Sequence, residues 1–325
     1  MVKSLLGLFS PAGDNARLSI LIFHRIFPQS DPMFPMETDA FQFEEICKWL
    51  KAWCNVLPLD EAVARLASDS LPARALAITF DDGYLDNFTV ALPILQRYDM
   101  TATFFVAVGF LDGGRMWNDT VIEAVRNCDL VALDFAEEDS GSGLGLGRLA
   151  IGSWEQKRVA VAKIIDHIKY LPTGERDICA RRVAYLARVE HLPDDLMMRS
   201  VDVRELHRMG MQIGAHTLSH PILGGLDRTS AVDEIAGSKM YLEQLLGEKI
   251  NLFAYPNGKP GTDYNRGTVE IVRELGFEAA VSTAGGAASG RTDRHQLPRY
   301  TPWKKTKMGF GFRLVDNLRR EGACL

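Results

Sequence analysis

Asp81 and Asp82 follow the apolar run Ala75-Leu76-Ala77-Ile78-Thr79-Phe80 and precede Gly83. One carboxylate of such a pair can face a ligand while the glycine relieves a tight turn. Much later come His216 and His220, at i,i+4 spacing. Across a turn or short helix that spacing lets two imidazoles converge. A carboxylate with two histidines is a divalent-metal set that leaves positions open for water and substrate. Adjacent acidic residues alone are common in surface loops, and two histidines four apart can be accidental. The two pairs together, in a chain with 7 histidines, carry a metal-site reading above a structural one.

Such a set has to be held by rigid elements. Leu18–Phe23 and Ala75–Phe80 are near-continuous apolar runs, the pattern of parallel strands covered on both faces. Ala102–Val108, Met211–His216, Asn251–Tyr255 and Glu278–Ser282 read as further strands. Helices are expected over Asp39–Trp53, with Asp39 as cap, from Pro58 on, and over Asn87–Tyr98, Ser230–Leu246 and Thr268–Leu275. Strand and helix alternate at both ends of the chain, which predicts an α/β fold with a parallel layer or barrel. Both aspartates then stand at the carboxyl end of a strand, where α/β enzymes place their chemistry. From Trp117 to about Leu206 the apolar spacing is mostly helical. Residues 112–206 are therefore expected to form a helical subdomain inserted into a single catalytic domain spanning 1–325. The glycines of Gly141–Gly147 imitate a dinucleotide fingerprint, but no strand feeds them and no long helix follows.

The 325 residues carry 37 Lys+Arg against 42 Asp+Glu, a net charge of −5, which argues against a surface built to track a phosphate backbone and so against nucleic acid. Cys47, Cys54, Cys128, Cys179 and Cys324 are scattered and odd in number, which suits free thiols in a reducing compartment, the cytoplasm. The apolar run Leu5–Phe9 is too short for a spanning helix, and Met1–Gly13 lacks the form of a signal peptide. That segment reads as a packed terminus first and a turn resting on a membrane surface second.

Three motifs together resemble the polysaccharide deacetylases, the carbohydrate esterase family that includes chitin and peptidoglycan deacetylases. They are Thr79-Phe80-Asp81-Asp82-Gly83, His216-Thr217-Leu218-Ser219-His220-Pro221 and Phe253-Ala254-Tyr255-Pro256-Asn257-Gly258. The resemblance implies a distorted parallel (β/α) barrel, usually seven-stranded, and a divalent cation, usually zinc, with cobalt, nickel or manganese as substitutes. Carried over residue by residue, it makes Asp82, His216 and His220 the metal ligands and Asp81 the general base, because a ligating carboxylate cannot spend the same lone pairs on a proton. The backbone N–H of Asn257 becomes the oxyanion donor, with Tyr255 and Pro256 shaping that wall. Two partners are missing: Ala254 stands where many members carry an arginine that orients the catalytic aspartate, and no later Leu-x-His motif supplies the general acid.

The pattern looks closer to the branch acting on exopolysaccharide or surface glycans. That branch typically carries an upstream Tyr-His pair, whose place Phe23-His24 takes in this chain, with His24 either protonating the leaving amine or bridging loops. Arg299 is a candidate to orient Asp81 or Tyr255, or else a salt bridge at the barrel rim. Trp117 could face a sugar ring or simply pack, and Tyr84 could line the pocket or cover the barrel end. The implied reaction removes an N-acetyl or similar small N-acyl group from an amino sugar in a polysaccharide or its lipid- or nucleotide-linked precursor. The rival readings are a weakly active glycan-binding component and a hydrolase of a non-sugar amide.

Overall fold

The computed structural model describes residues 1–135, 144–302 and 305–325. Its strands in chain order are β1 (Ser19–Phe23), β2 (Asn55–Val56), β3 (Ala75–Phe80), β4 (Thr103–Val106), β5 (Ala132–Asp134), β6 (Arg148–Ala150), β7 (Gln212–Ala215), β8 (Leu252–Ala254) and β9 (Ala279–Val281). Seven of them form one parallel sheet in the order β1-β3-β4-β7-β8-β9, with β2 on the first half of β3. The sheet curls into a distorted barrel. A segment after β9 spans the space between its two ends, with Leu297 bridging Val281 of β9 and Tyr300 bridging Leu21 of β1.

The helices around this sheet are α1 (Val2–Phe9), α2 (Ala40–Trp53), α3 (Leu59–Ala67) and α4 (Leu92–Arg97) in the first half. The middle of the chain holds α5 (Trp117–Arg126), α6 (Trp154–Ile168) and α7 (Thr173–Leu186), followed by α8 (Ser200–Arg208), α9 (Arg228–Leu246), α10 (Arg266–Glu274) and α11 (Lys307–Leu318). Asp39 caps α2 by accepting from the Gln42 N–H, as its residue type predicts.

Strand alternation sorts the core into two layers. Ile20, Ala75, Ala77, Phe105, Leu252, Ala254, Val281 and Leu297 point inward and fill the barrel. Their neighbours Leu21, Leu76, Ile78, Phe104, Ile213, Phe253 and Tyr255 point outward under the helices. Gly214 of β7 has to be a glycine, because a Cβ there would stand 2.4 Å from the Phe105 ring that plugs the interior.

The chain divides into two compact units. The first comprises residues 1–29, 37–112 and 197–325, and the second residues 30–36 and 113–196. The second unit packs α5, α6 and α7 with the antiparallel β5–β6 pair around its own core of Val121, Val125, Leu133, Ile164 and Val183. The helical segment read as 112–206 thus ends earlier in space, because Met198 and the buried face of α8, Val203 and Leu206, belong to the core of the first unit. Of the glycine stretch, 141–143 lie outside the described residues, and 144–147 lead into a short strand rather than a helix. No helix among the described residues is long and apolar enough to cross a membrane.

Candidate metal centre

Asp81 directly follows β3 on the inward parity of Thr79, and its N–H donates to the Phe23 carbonyl at the end of β1. Asp82 has φ +77° and Gly83 φ +91°, so the chain turns sharply back over the strand ends. Positive φ is costly for a non-glycine residue, and such strain persists only where the surroundings over-determine it. The same conformation recurs at Thr217 (φ +66°), His220 (φ +52°) and Asn257 (φ +56°), so all three motif loops carry it.

His216 follows β7 and is buried, and its Nδ1 lies 2.7 Å from the Ala254 carbonyl. A carbonyl can only accept, so the neutral ring carries its proton on Nδ1 and turns the Nε2 lone pair toward Asp82. The turn to His220 is held from outside. Glu234 of α9 accepts the Leu218 and Ser219 N–H groups at 2.9 Å each and the Ser219 hydroxyl at 2.5 Å, while Thr217 Oγ1 accepts the His220 N–H. Gly109 and Gly237 leave room for this turn. A Cβ on the first would stand 2.6 Å from the Leu218 carbonyl oxygen, and on the second 2.7 Å from the Leu218 side chain.

The Nε2 atoms of His216 and His220 each stand 3.4 Å from Asp82 Oδ1, a buried oxygen with no hydrogen-bond donor. Donor atoms of the three residues lie within 4.8 Å of one another. Buried lone pairs aimed at a common point repel unless a cation lies between them, and one carboxylate with two imidazoles is a donor set for a divalent metal. The residues therefore fit the cation their types suggest. Without it the chain's own charges compensate in part. Burial opposes charge on His216, but contact with Asp82 and the field of Asp81 raise its pKa above the ordinary histidine value. Burial dominates at His220, which falls to about 4 and stays neutral at physiological pH.

Asp81 stands apart from this cluster because both its oxygens are occupied by one partner. Arg299 Nη1 donates to Oδ1 at 2.6 Å and Nη2 to Oδ2 at 2.7 Å, a bidentate ion pair closed off from solvent. The guanidinium is itself fixed by the Ser282 carbonyl and Thr79 Oγ1. Burial alone would raise the Asp81 pKa, but Arg299 and then His216 hold it below the usual carboxylate value. The inward side chain of β8 at this level is Ala254, too short to reach Asp81. Arg299, on the same inward parity as Leu297 in the closing segment, occupies that place instead.

His24 is exposed just past β1, close enough for its charge to act on Asp81, Asp82 and His220. Its segment is pinned from the turn after β3. Asn87 Nδ2 donates to the His24 carbonyl at 2.9 Å, and Asp86 accepts from the Ile26 N–H at 3.1 Å and Arg25 Nε at 2.7 Å. Residues 87–91 form a single π-helical turn, a distortion common at functional sites. Among the described residues the Asn257 N–H makes no hydrogen bond, while the Asn257 carbonyl accepts from Thr283. Pro256 is buried beside it.

Three candidate contacts have the following surroundings. The Tyr255 ring points outward with Phe253, stacks on Tyr264 with centroids 4.0 Å apart, and donates its hydroxyl to the His295 carbonyl. Its side chain is therefore a core pillar and not a wall of the site. Tyr84 is buried with the Arg25 guanidinium 4.7 Å over its ring. Trp117 opens α5 in the second unit, half-buried, with the Arg176 guanidinium 5.1 Å from its ring. His295, a conceivable stand-in for a missing acid, has Nε2 2.9 Å from the Phe277 carbonyl and accepts from Arg273 on Nδ1, so it serves the packing of α10. Sequence reasoning missed Glu234, Asp86 and Asn87. Asp86 and Asn87 closely follow the first motif and were within reach of it, whereas nothing local marks Glu234.

Known proteins bear on this geometry. The sequence profile described as Polysaccharide deacetylase matches residues 68–130 and 188–280, two stretches that contain Asp81, Asp82, His216, His220 and the Phe253–Gly258 turn. YxkH of Bacillus subtilis (strain 168), named provisionally as a polysaccharide deacetylase, is 24% identical over 287 residues, 87% of this chain and 71% of its own. Among solved structures, the Streptococcus pyogenes deacetylase PplD in complex with acetate has a TM-score of 0.58 at 20% identity, covering 88% of this chain and 92% of its own. IcaB from Ammonifex degensii gives 0.58 at 20% identity over 92% and 98%. At that identity the two structures speak to the fold, and the profile speaks to the motifs. The curled sheet and the residues of the metal cluster fall within these two agreements, so the chain resembles the polysaccharide deacetylases in both its motifs and its fold.

Proposed function

We propose that the protein is a metal-dependent hydrolase that removes an N-acetyl or similar small N-acyl group from an amino sugar, releasing the acid and a free amine. The observation that carries this reading is the division of labour between the two aspartates: Asp82 faces two imidazoles, while Asp81 is ionised and locked by Arg299. Asp82, His216 and His220 hold the cation, whose chemistry when bound is Lewis acidity toward the acyl carbonyl and toward water. Asp81 accepts the proton of the attacking water. Each of its oxygens keeps a second lone pair beyond the one engaged by Arg299, so the anchor does not block the base. The Asn257 N–H donates to the carbonyl oxygen as that oxygen gains charge. His24 hands a proton to the departing nitrogen, a poor leaving group otherwise.

The missing third-motif arginine and the missing Leu-x-His motif are the two grounds for a weakly active binding protein, and Arg299 answers the first by reaching Asp81 from a different segment. The substrate class we assign is an exopolysaccharide or surface glycan, or its lipid- or nucleotide-linked precursor, by analogy with the branch that shares the Phe253-Ala254-Tyr255-Pro256 pattern and carries a Tyr-His pair where this chain has Phe23-His24. All five cysteines are free thiols, which favours the cytoplasmic side. The test is acetate and amine release from N-acetylated oligosaccharides by the purified chain loaded with zinc or cobalt. D81N should keep the metal and lose about 10²-fold in rate, the scale of a lost general base. Release that is unchanged after the cation is stripped would overturn the proposal.

A further inference from the structure

α1 and α11 pack side by side and run in the same direction. A Cβ on Gly311 would meet Val2 at 2.8 Å, and the Arg319 guanidinium lies 5.6 Å from the Phe9 ring. Their inward residues Val2, Leu6, Phe310 and Leu314 are buried in the core of the first unit. The outward face of such a pair is polar when it meets only water. Here Leu8 is 72% and Phe312 48% exposed, with Met1 and Met308 exposed as well.

Charge along these two helices and the residues that flank α11 is also one-sided. Residues 1–9 and 305–320 carry Lys3, Lys305, Lys307, Arg313, Arg319 and Arg320 against Asp316 alone, in a chain whose net charge is −5. Asp316 contacts Arg313 and Arg320, and Lys307 leans over the Trp53 ring at 5.8 Å. Apolar tips flanked by cations match the boundary of an anionic bilayer, where the tips enter the acyl region and Lys and Arg meet the phosphates. A second copy of the chain is a poorer fit, since a two-fold contact sets a patch against itself and would oppose like charges.

We infer that the α1/α11 face docks the protein on a membrane surface rich in anionic phospholipid. This holds the protein at the bilayer by a surface contact, and it stands or falls independently of the hydrolytic reading. The test is flotation of the full chain with vesicles of phosphatidylcholine alone and of phosphatidylcholine mixed with phosphatidylglycerol. Binding to the anionic vesicles should be about tenfold or more stronger and should weaken as salt rises. L8E/F312E should abolish it while leaving the melting temperature and zinc binding intact, and K307Q/R313Q should flatten the salt dependence. Equal weak binding to both vesicles, or anionic binding that survives L8E/F312E, overturns the inference. So does a concentration-dependent dimer that L8E/F312E dissolves, which would give the face to a second copy.

Discussion

Arg299 holds both oxygens of Asp81, the residue proposed as the base, by geometry as much as by charge. A buried carboxylate deprived of the one cation that pairs with it among the described residues is left uncompensated, so R299M should cost about 3–5 kcal/mol of stability, seen as a lowered melting temperature. The informative variant is R299K. It keeps a positive charge but cannot donate to both oxygens at once. We expect R299K to fold and to bind zinc normally, with kcat reduced more than KM and the acid limb of the rate profile moved upward in pH. The direction follows from the ion pair: Arg299 holds the Asp81 pKa down, so a looser cation lets it rise and the base protonates at higher pH. A variant with native kcat would make Arg299 a purely structural residue.

At the scale of elements, the His216–His220 turn depends on a helix that contributes no ligand. Glu234 of α9 answers two backbone donors and a hydroxyl of that turn. Groups that orient ligands in this way typically govern metal affinity by about 10–100-fold, so E234A should weaken zinc binding on that scale in a chelator competition. E234Q, which keeps one acceptor oxygen, should lose less, and unchanged affinity in both variants would deny the brace a role.

What the sequence made legible follows the same division. β3 and its two aspartates, and the His-x-x-x-His spacing after β7, could be read because neighbours in the chain define them. The strand parity of Phe253-Ala254-Tyr255 was legible too, and it would have turned Tyr255 away from the site, since an inward Ala254 forces an outward Tyr255. For Arg299 the sequence left Asp81 and Tyr255 both open and for Glu234 it offered no partner, because no local pattern ties residue 299 to residue 81 or residue 234 to residue 218 until the sheet curls and α9 packs. The end of the inserted segment near 197 was hidden for a related reason, as α8 is amphipathic whichever unit receives its apolar face.

For the molecule as a whole, a cation at the cluster should stabilise the fold, and by an amount that depends on pH. The folded-state pKa of His216 is raised above the ordinary value, so as pH falls through it the ring takes up a proton that competes with the cation. The zinc-induced rise in melting temperature should therefore be largest above that pKa and shrink toward acid pH. His220, lowered to about 4, contributes to the loss only at the acid end. A zinc-induced shift that is flat from weakly alkaline to acid pH would contradict the assignment of His216 as a ligand.

The segment that spans the open side of the sheet is also the one that carries Arg299, and this orders events during synthesis. Asp82, His216 and His220 have all left the ribosome well before Arg299 is made. A nascent chain can thus gather its three ligands while the neighbouring carboxylate still lacks its anchor. Leu297 and Tyr300 then tie β9 to β1 in the same stroke that brings the guanidinium to Asp81. On the proposed mechanism the ligand set and the anchored base are therefore completed at different points of synthesis, the second only once the closing segment has been made.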